Sequence, residues 1–341
     1  MSQVSILVTG GAGFIGSHTV VALAEAGFRP VIIDDFSNSK PSVLEGLRQI
    51  LGYEVPCYAR DCNDKATLLD IFRQENIKGA IHFAAFKAVG ESMAEPLRYY
   101  HNNLGSLITL LEVMVETGAP DLIFSSSCTV YGEPETLPVT EWTPVQPAVS
   151  VYGNTKQIGE EILRDTAAAS RDLRVFSLRY FNPVGAHPSA QIGELPLGVP
   201  NNLVPFITQT AAGLREQLTV FGNDYPTPDG TCIRDYIHVM DLAEAHVSAL
   251  QQLQARPAGP HYDVFNVGTG QGVSVLELIR AFEAASGQRL NYKIGARRSG
   301  DATAVYADAT KAREQLGWTA QRTLREGLED AWRWEMHLRQ P

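Results

Sequence analysis

The segment TGGAGFIGSH, Thr9–His18, joins an apolar run, VSILVT at 4–9, to an amphipathic one, FIGSHTVVALAEAG at 14–27. No other feature constrains the fold as tightly. Gly10, Gly13 and Gly16 read as GxxGxxG, and Gly11, Gly13 and Gly16 also satisfy GxGxxG. Glycine at these places permits a tight turn, close approach of backbone to a pyrophosphate, and close packing of helix on sheet. The helix start, with Phe14 and Ile15, turns unpaired N–H groups toward the anion. The strand before and the helix after give the glycines their weight. Asp34 ends the next strand, PVIIDD at 30–35, 18 residues after Gly16. An acid there is placed to bind the adenosine ribose hydroxyls, and Asp34–Asp35 without a neighbouring arginine favours NAD over NADP. A carboxylate that merely caps the strand explains less of this pattern.

The same rhythm continues through AIHFAA (80–85), a helix around 96–117, DLIFSSS (121–127), a helix through 152–169 and LRVFSLRY (173–180). Continuous apolar strands alternating with helices predict the α/β class, with a Rossmann-like doubly wound parallel sheet covered on both faces. After Asn182 the texture changes. Pro183, Pro188, Pro196, Pro200, Pro205, Pro226 and Pro228 break the rhythm, although DYIHVMDLAEAHVSAL (235–250) returns as a helix-like block. The expected division is residues 1–181 as the NAD-binding domain, with sheet elements also from 235–270. Residues 182–341 form mainly a smaller C-terminal substrate-binding lobe, interleaved with the first.

A net charge of -10 excludes a general nucleic-acid binder, which needs a basic surface. No uncharged apolar run approaches the ~20 residues that span a bilayer, and no basic leader precedes Val4, so a cytoplasmic, non-membrane protein is expected. Cys57, Cys62, Cys128 and Cys232 read as small buried thiols of a reducing compartment. The histidines lack metal-ligand spacing, so no metal is expected.

FSSSCTVYG (124–132) ends an apolar strand in three serines, and strand C-termini of such sheets face the ligand crevice. On the next helix, SVYGNTK (150–156) sets Tyr152 four residues before Lys156, on one helical face. Ser, Tyr and Lys in this order resemble the catalytic set of the short-chain dehydrogenase/reductases. FKAVGES (86–92), RYFNPVGAHPS (179–189), GVPNNLVP (198–205), FGNDYPTPDGTCIRDYIHVMDLA (221–243) and RRSGD (297–301) make the likeness more specific. With the serine strand end, they resemble the motifs of the UDP-glucose 4-epimerase family, in order, out to about Trp334.

That resemblance implies bound NAD, a UDP-sugar substrate and inversion at C4 through a transient 4-keto sugar. Tyr152 would be the base, Lys156 would lower its pKa and hold the nicotinamide ribose, and Ser127 would hydrogen-bond the reacting oxygen. It further implies NAD contacts from Gly10, Gly13, Phe14, Ile15, Gly16, Asp34, Asn38, Ser39, Asp61, Cys62, Phe83, Ala84, Lys87, Asn102, Ser125, Lys156 and Tyr180. The nucleotide sugar falls to Ser127, Tyr152, Asn182, Asn201, Asn202, Leu203, Phe221, Arg234, Arg298, Asp301 and Val305. A homodimer through the helices near 96–117 and 152–169 is implied as well.

Two departures stand out. Val151 and Asn154 replace the proline and the basic or polar residue usual around the tyrosine. Val305 stands where some members carry a bulky tyrosine, which implies room for an N-acetyl group and use of UDP-GlcNAc and UDP-GalNAc beside UDP-glucose and UDP-galactose. Alternatively, Val305 merely packs in the lobe and Tyr306 supplies the bulk. A sugar-nucleotide 4,6-dehydratase would require acid/base carboxylates where this chain has Ser126-Ser127-Cys128. A noncatalytic NAD-sensing protein would be expected to lose the Tyr/Lys pair or the sugar-side arginines, and both are kept.

Overall fold

The computed structural model describes residues 3–298 and 301–340. Seven strands form one parallel sheet: β1 (Ser5–Thr9), β2 (Arg29–Ile33), β3 (Cys57–Tyr58), β4 (Ile77–His82), β5 (Asp121–Ser125), β6 (Arg174–Tyr180) and β10 (His261–Val267). Their order is β10-β6-β5-β4-β1-β2-β3. Chain direction across the sheet reverses between β1 and β4, and in such sheets ligands bind beyond the strand C-termini at that reversal.

Helices cover both faces, which is why these strands are continuously apolar. One face packs α1 (Phe14–Glu25), α2 (Ser42–Leu51), α8 (Val239–Gln254) and α10 (Thr310–Leu316) around Val20, Leu23, Phe176 and Leu250. The other packs α3 (Lys65–Gln74), α5 (Pro96–Thr117) and α6 (Val151–Ala169) around Leu68, Leu110, Leu122 and Leu163. The short α4 (Val89–Ala94) leads into α5. Helix α5 starts on Pro96, whose missing N–H is no loss there, and ends at left-handed Gly118.

The second body has its own core of Ile207, Leu278, Phe282 and Leu328. It contains α7 (Leu203–Ala211), α9 (Val275–Ser286) and α11 (Leu324–His337), and two small sheets. In one, β9 (Ile233–His238) pairs with β7 (Asn182–Val184), β11 (Gly272–Ser274) and β13 (Ala304–Val305). In the other, β8 (Leu218–Phe221) pairs with β12 (Tyr292–Gly295).

The segment 235–250 corrects the expectation of a helix-like block. It begins inside β9 and becomes α8 only at Val239. The imidazole of His238 caps α8 by accepting from Met240 N at 3.0 Å, so strand passes to helix with no Gly or Pro to announce it. Among the described residues no helix is long and apolar enough to cross a membrane.

Candidate active site

The glycine loop is built to exclude side chains. Gly10 has φ +67, and a Cβ on it would lie 2.9 Å from Ala84 N. A Cβ on Gly16 would lie 2.2 Å from the Gly10 carbonyl oxygen. Gly13, the N-cap of α1, brings no side chain to the first-turn N–H groups, so the end carrying Phe14 and Ile15 stays available to an anion. The Asp34 carboxylate accepts from Ala12 N at 3.0 Å, Phe36 N at 2.9 Å and Ser39 Oγ at 2.9 Å. It thus ties the glycine loop to the turn carrying Asn38 and Ser39, with one lone-pair site on Oδ2 left for a ribose hydroxyl. These residues fit a dinucleotide.

Further along the strand ends, exposed Asp61 precedes buried Cys62, and Phe83 and Ala84 follow β4. Lys87 lies 3.5 Å from Glu194 of the second body, whose carboxylate also accepts from Asn202 Nδ2 at 2.5 Å. Asn102 donates to its neighbour Asn103 at 3.1 Å. Asn103 was not anticipated, yet it holds both Phe86 N and Phe86 O and reaches Thr155 Oγ1 on α6. Its adjacency to Asn102 was the only signal in the sequence.

At the C-terminal end of β5 the three serines diverge. Ser125 Oγ and the Tyr180 hydroxyl are 2.5 Å apart, Ser126 Oγ donates to Glu160 at 2.6 Å, and Ser127 Oγ accepts from Thr129 N at 3.2 Å. Ser150 caps α6 by accepting from Gly153 N at 3.0 Å, which fixes the first turn bearing Tyr152. Ser92 Oγ accepts from Tyr152 N at 3.2 Å. Asn154, part of the first departure, donates to the Tyr100 hydroxyl at 2.6 Å.

Lys156 Nζ donates to the Ser125 carbonyl at 2.6 Å and sits 5.8 Å from the centre of the Tyr152 ring. The expected acidification of Tyr152 by Lys156 is not the dominant influence. Burial pushes the phenol up, and a hydrogen bond with Ser127 only partly opposes it. Burial likewise pushes Lys156 down to about 7, against the pull of the Glu160 charge. In the protein alone burial therefore favours the neutral phenol and brings the Lys156 amine into titration near neutral pH, and an added cation in the crevice would favour the phenolate.

On the second body, Asn182 opens β7, Asn201 and Asn202 are exposed before α7, and Leu203 begins that helix. Phe221 is exposed at the end of β8, with the Arg298 guanidinium 5.6 Å from its ring centre. Arg298 grips Asp301 through two bonds, at 3.1 and 2.7 Å. Ser299 and Gly300 of the RRSGD motif lie outside the described residues. Arg234 does not pair with Asp235, which is fully engaged with Thr269, Gly270 and Ala307. Its nearest acid is Asp301, at 3.9 Å. Val305 is buried with Val130, Tyr131, Val139 and Phe181. Tyr306, just past β13, has its ring against Gly272.

The profile of the family described as GDP-mannose 4,6 dehydratase matches residues 7–331. The UDP-glucose 4-epimerase of Bacillus subtilis (strain 168) is 50% identical over 331 residues, covering 97% of this chain and 96% of its own. The chain belongs to the UDP-glucose 4-epimerase family. Two solved UDP-glucose 4-epimerases agree in fold. That of Bifidobacterium longum, in complex with NAD+ and UDP, is 46% identical with a TM-score of 0.94, covering 98% of each chain. That of Stenotrophomonas maltophila, with bound NAD and formylated UDP-arabinopyranose, is 46% identical with a TM-score of 0.95, covering 99% of each. The reacting end also suits an epimerase better than a dehydratase. The carboxylate that reaches Ser126, Glu160, is held by Arg179 at 2.6 Å and is not free for acid/base work.

Proposed function

We infer that this chain interconverts UDP-glucose and UDP-galactose by NAD-dependent inversion at C4 through a 4-keto sugar. The observation that carries the reading is the convergence of Ser127, Tyr152 and Lys156 at the C-terminal end of β5, in a chain half identical to epimerases. NAD, when bound, supplies a two-electron acceptor and donor for reversible oxidation at C4, together with a positive ring charge.

Tyr152 takes the proton of the 4-hydroxyl and returns it, Ser127 hydrogen-bonds that oxygen, and Lys156 favours the phenolate when charged. Gly10, Gly13, Gly16 and Asp34 hold the dinucleotide with Phe14, Ile15, Asn38, Ser39, Asp61, Cys62, Phe83, Ala84, Lys87, Asn102, Ser125 and Tyr180. Inversion requires the keto sugar to present both faces, so the UDP part must carry the grip. Arg234 and Arg298 suit a diphosphate, Phe221 and Leu203 a uracil, and Asn182, Asn201, Asn202 and Asp301 the remaining polar groups.

Residues 1–181 with β10 serve the cofactor and most of 182–341 the nucleotide sugar. The small side chain at Val305, with Tyr306 turned away, supports turnover of the N-acetylated UDP-sugars. Exposed Leu97, Ile108 and Val115, at spacings of 11 and 7 residues along α5, support a homodimer through this helix. Four free thiols suit a reducing cytoplasm.

The test is a product assay on the four UDP-sugars without added NAD. We expect C4 inversion of all four, and a loss of about 10²–10⁴-fold in Tyr152→Phe, the usual contribution of a general base. Near-full activity in Tyr152→Phe refutes the base. Conversion of UDP-galactose but not UDP-GlcNAc refutes the wider range, and no turnover at all refutes the activity.

A further inference from the structure

One buried network joins the end of β5 to α6 and β6. Glu160 lies one turn beyond Lys156 on α6 and is buried. Its carboxylate accepts from Ser126 Oγ at 2.6 Å and from Arg179 through Nε at 2.9 Å and Nη2 at 2.6 Å. Lys156 holds the carbonyl of Ser125, so α6 grips two consecutive residues of the β5 end from two successive turns. Arg179 is followed by Tyr180, whose hydroxyl meets Ser125 Oγ, and this closes the ring through β6. From Arg179 the network runs outward. Nη1 donates to the Tyr131 hydroxyl at 3.1 Å, which donates to Asn266 at 2.6 Å, and Asn266 donates to Val139 O at 2.9 Å. Val139 N in turn donates to Tyr306 O, beside Val305.

We propose that Glu160 is a positioning residue for the epimerisation. Its carboxylate, shared between Ser126 and Arg179, sets the seat of α6 on the end of β5 and supplies a negative charge one turn from Lys156. This rests on the activity inferred above. A buried carboxylate with a bidentate guanidinium and a hydroxyl partner has few alternative arrangements. Through it, Tyr152 and Lys156 keep a fixed distance from Ser127. The groups facing the pair are Glu160 on α6, Tyr99 on α5, His82 ending β4, Cys128 after β5 and Tyr180 on β6, with Arg179 on β6 behind Glu160. Of these, only Glu160 and Arg179 form a buried salt bridge.

Glu160→Gln keeps the shape and removes the negative charge, and Arg179→Gln removes the positive charge and shortens the side chain. In purified holoenzyme with UDP-galactose, each should lower kcat about ten- to a hundredfold, the scale of a small misplacement of reacting groups, with a smaller change in KM. The pH profiles separate positioning from mere support. Glu160→Gln adds net positive charge, which favours phenolate and disfavours ammonium, so both limbs of the kcat profile move to lower pH by about one unit. Arg179→Gln moves both limbs to higher pH. If one variant fails to fold, the other decides through its own sign. A folded variant with wild-type kcat, or with kcat reduced on an unmoved pH profile, overturns the proposal. Should the wild type turn over no UDP-sugar, the activity reading fails. NMR titration of Lys156 in labelled holoenzyme, assigned with Lys156→Met, then still tests the charge coupling, which an unmoved titration in Glu160→Gln would overturn.

Discussion

Two glycines of the cofactor loop aim at one oxygen from different distances, which allows a graded steric test. An alanine Cβ at position 16 would meet the Gly10 carbonyl oxygen at 2.2 Å, 0.8 Å short of the 3.0 Å below which Cβ contacts essentially never fall. Gly10 has little room to retreat. Its carbonyl accepts from Gly13 N at 3.0 Å, and its own α-carbon faces the Ala84 backbone so closely that a Cβ would stand 2.9 Å away. Gly16→Ala therefore forces the loop to move. Overpacking of this kind costs about 3 kcal/mol at the upper end of its usual range. For a chain of 341 residues that corresponds to a Tm lower by roughly 4 °C. A displaced loop also loses about one hydrogen bond to the pyrophosphate, worth about 1.5–3 kcal/mol, or roughly ten- to a hundredfold in NAD affinity. Gly13→Ala meets the same oxygen at 3.1 Å with an ordinary φ of -73, so a few tenths of an ångström of adjustment suffice. Its Tm should stay within about 2 °C of wild type. The assays are thermal unfolding with and without added NAD, and the nucleotide released from acid-denatured protein. Equal losses of Tm in the two NAD-free variants, or wild-type Tm and NAD content in Gly16→Ala, would refute the steric reasoning.

The buried ammonium of Lys156 makes stability depend on pH. Its folded pKa, about 7, lies below the ordinary 10.5, so the unfolded chain binds the extra proton between those values and stability rises with pH across that window. Thermal unfolding of NAD-free protein from pH 7 to 9.5 should show this rise, and Lys156→Met should flatten it; identical slopes would contradict the assignment. Val305→Tyr should lower kcat/KM for UDP-GlcNAc at least about tenfold relative to UDP-glucose, measured by product ratio, since an added ring in a packed pocket excludes a bulky substituent. Light scattering should give twice the chain mass of 37.2 kDa, and Leu97→Glu combined with Ile108→Glu should reduce it to one chain.

Local rules made much of the fold readable. The βα alternation through Tyr180 carries its own boundaries, as in α5 with Pro96 at its start and Gly118 at its end. The Tyr152–Lys156 pair is likewise local, one helical turn apart behind an N-capping serine. The β9–α8 junction was not readable, because it has no punctuating Gly or Pro and is fixed by a histidine cap.

The sequence by itself determined the parallel sheet and the glycine cradle, because each is written in periodicity or short-range spacing, whereas the proposed roles of Ser127, Tyr152 and Lys156 rest on resemblance to a family. Only the tertiary structure decided how those groups are charged and held. Lys156 turns to the Ser125 carbonyl, burial outweighs it at Tyr152, and Glu160 joins Ser126 to Arg179 across 34 and 19 residues of chain. Tyr306, one residue past the two-residue β13, sets its ring against Gly272 and not in the apolar cluster that holds Val305. Desolvation and long-range hydrogen bonding depend on what surrounds a group in space, and no local spacing rule encodes that.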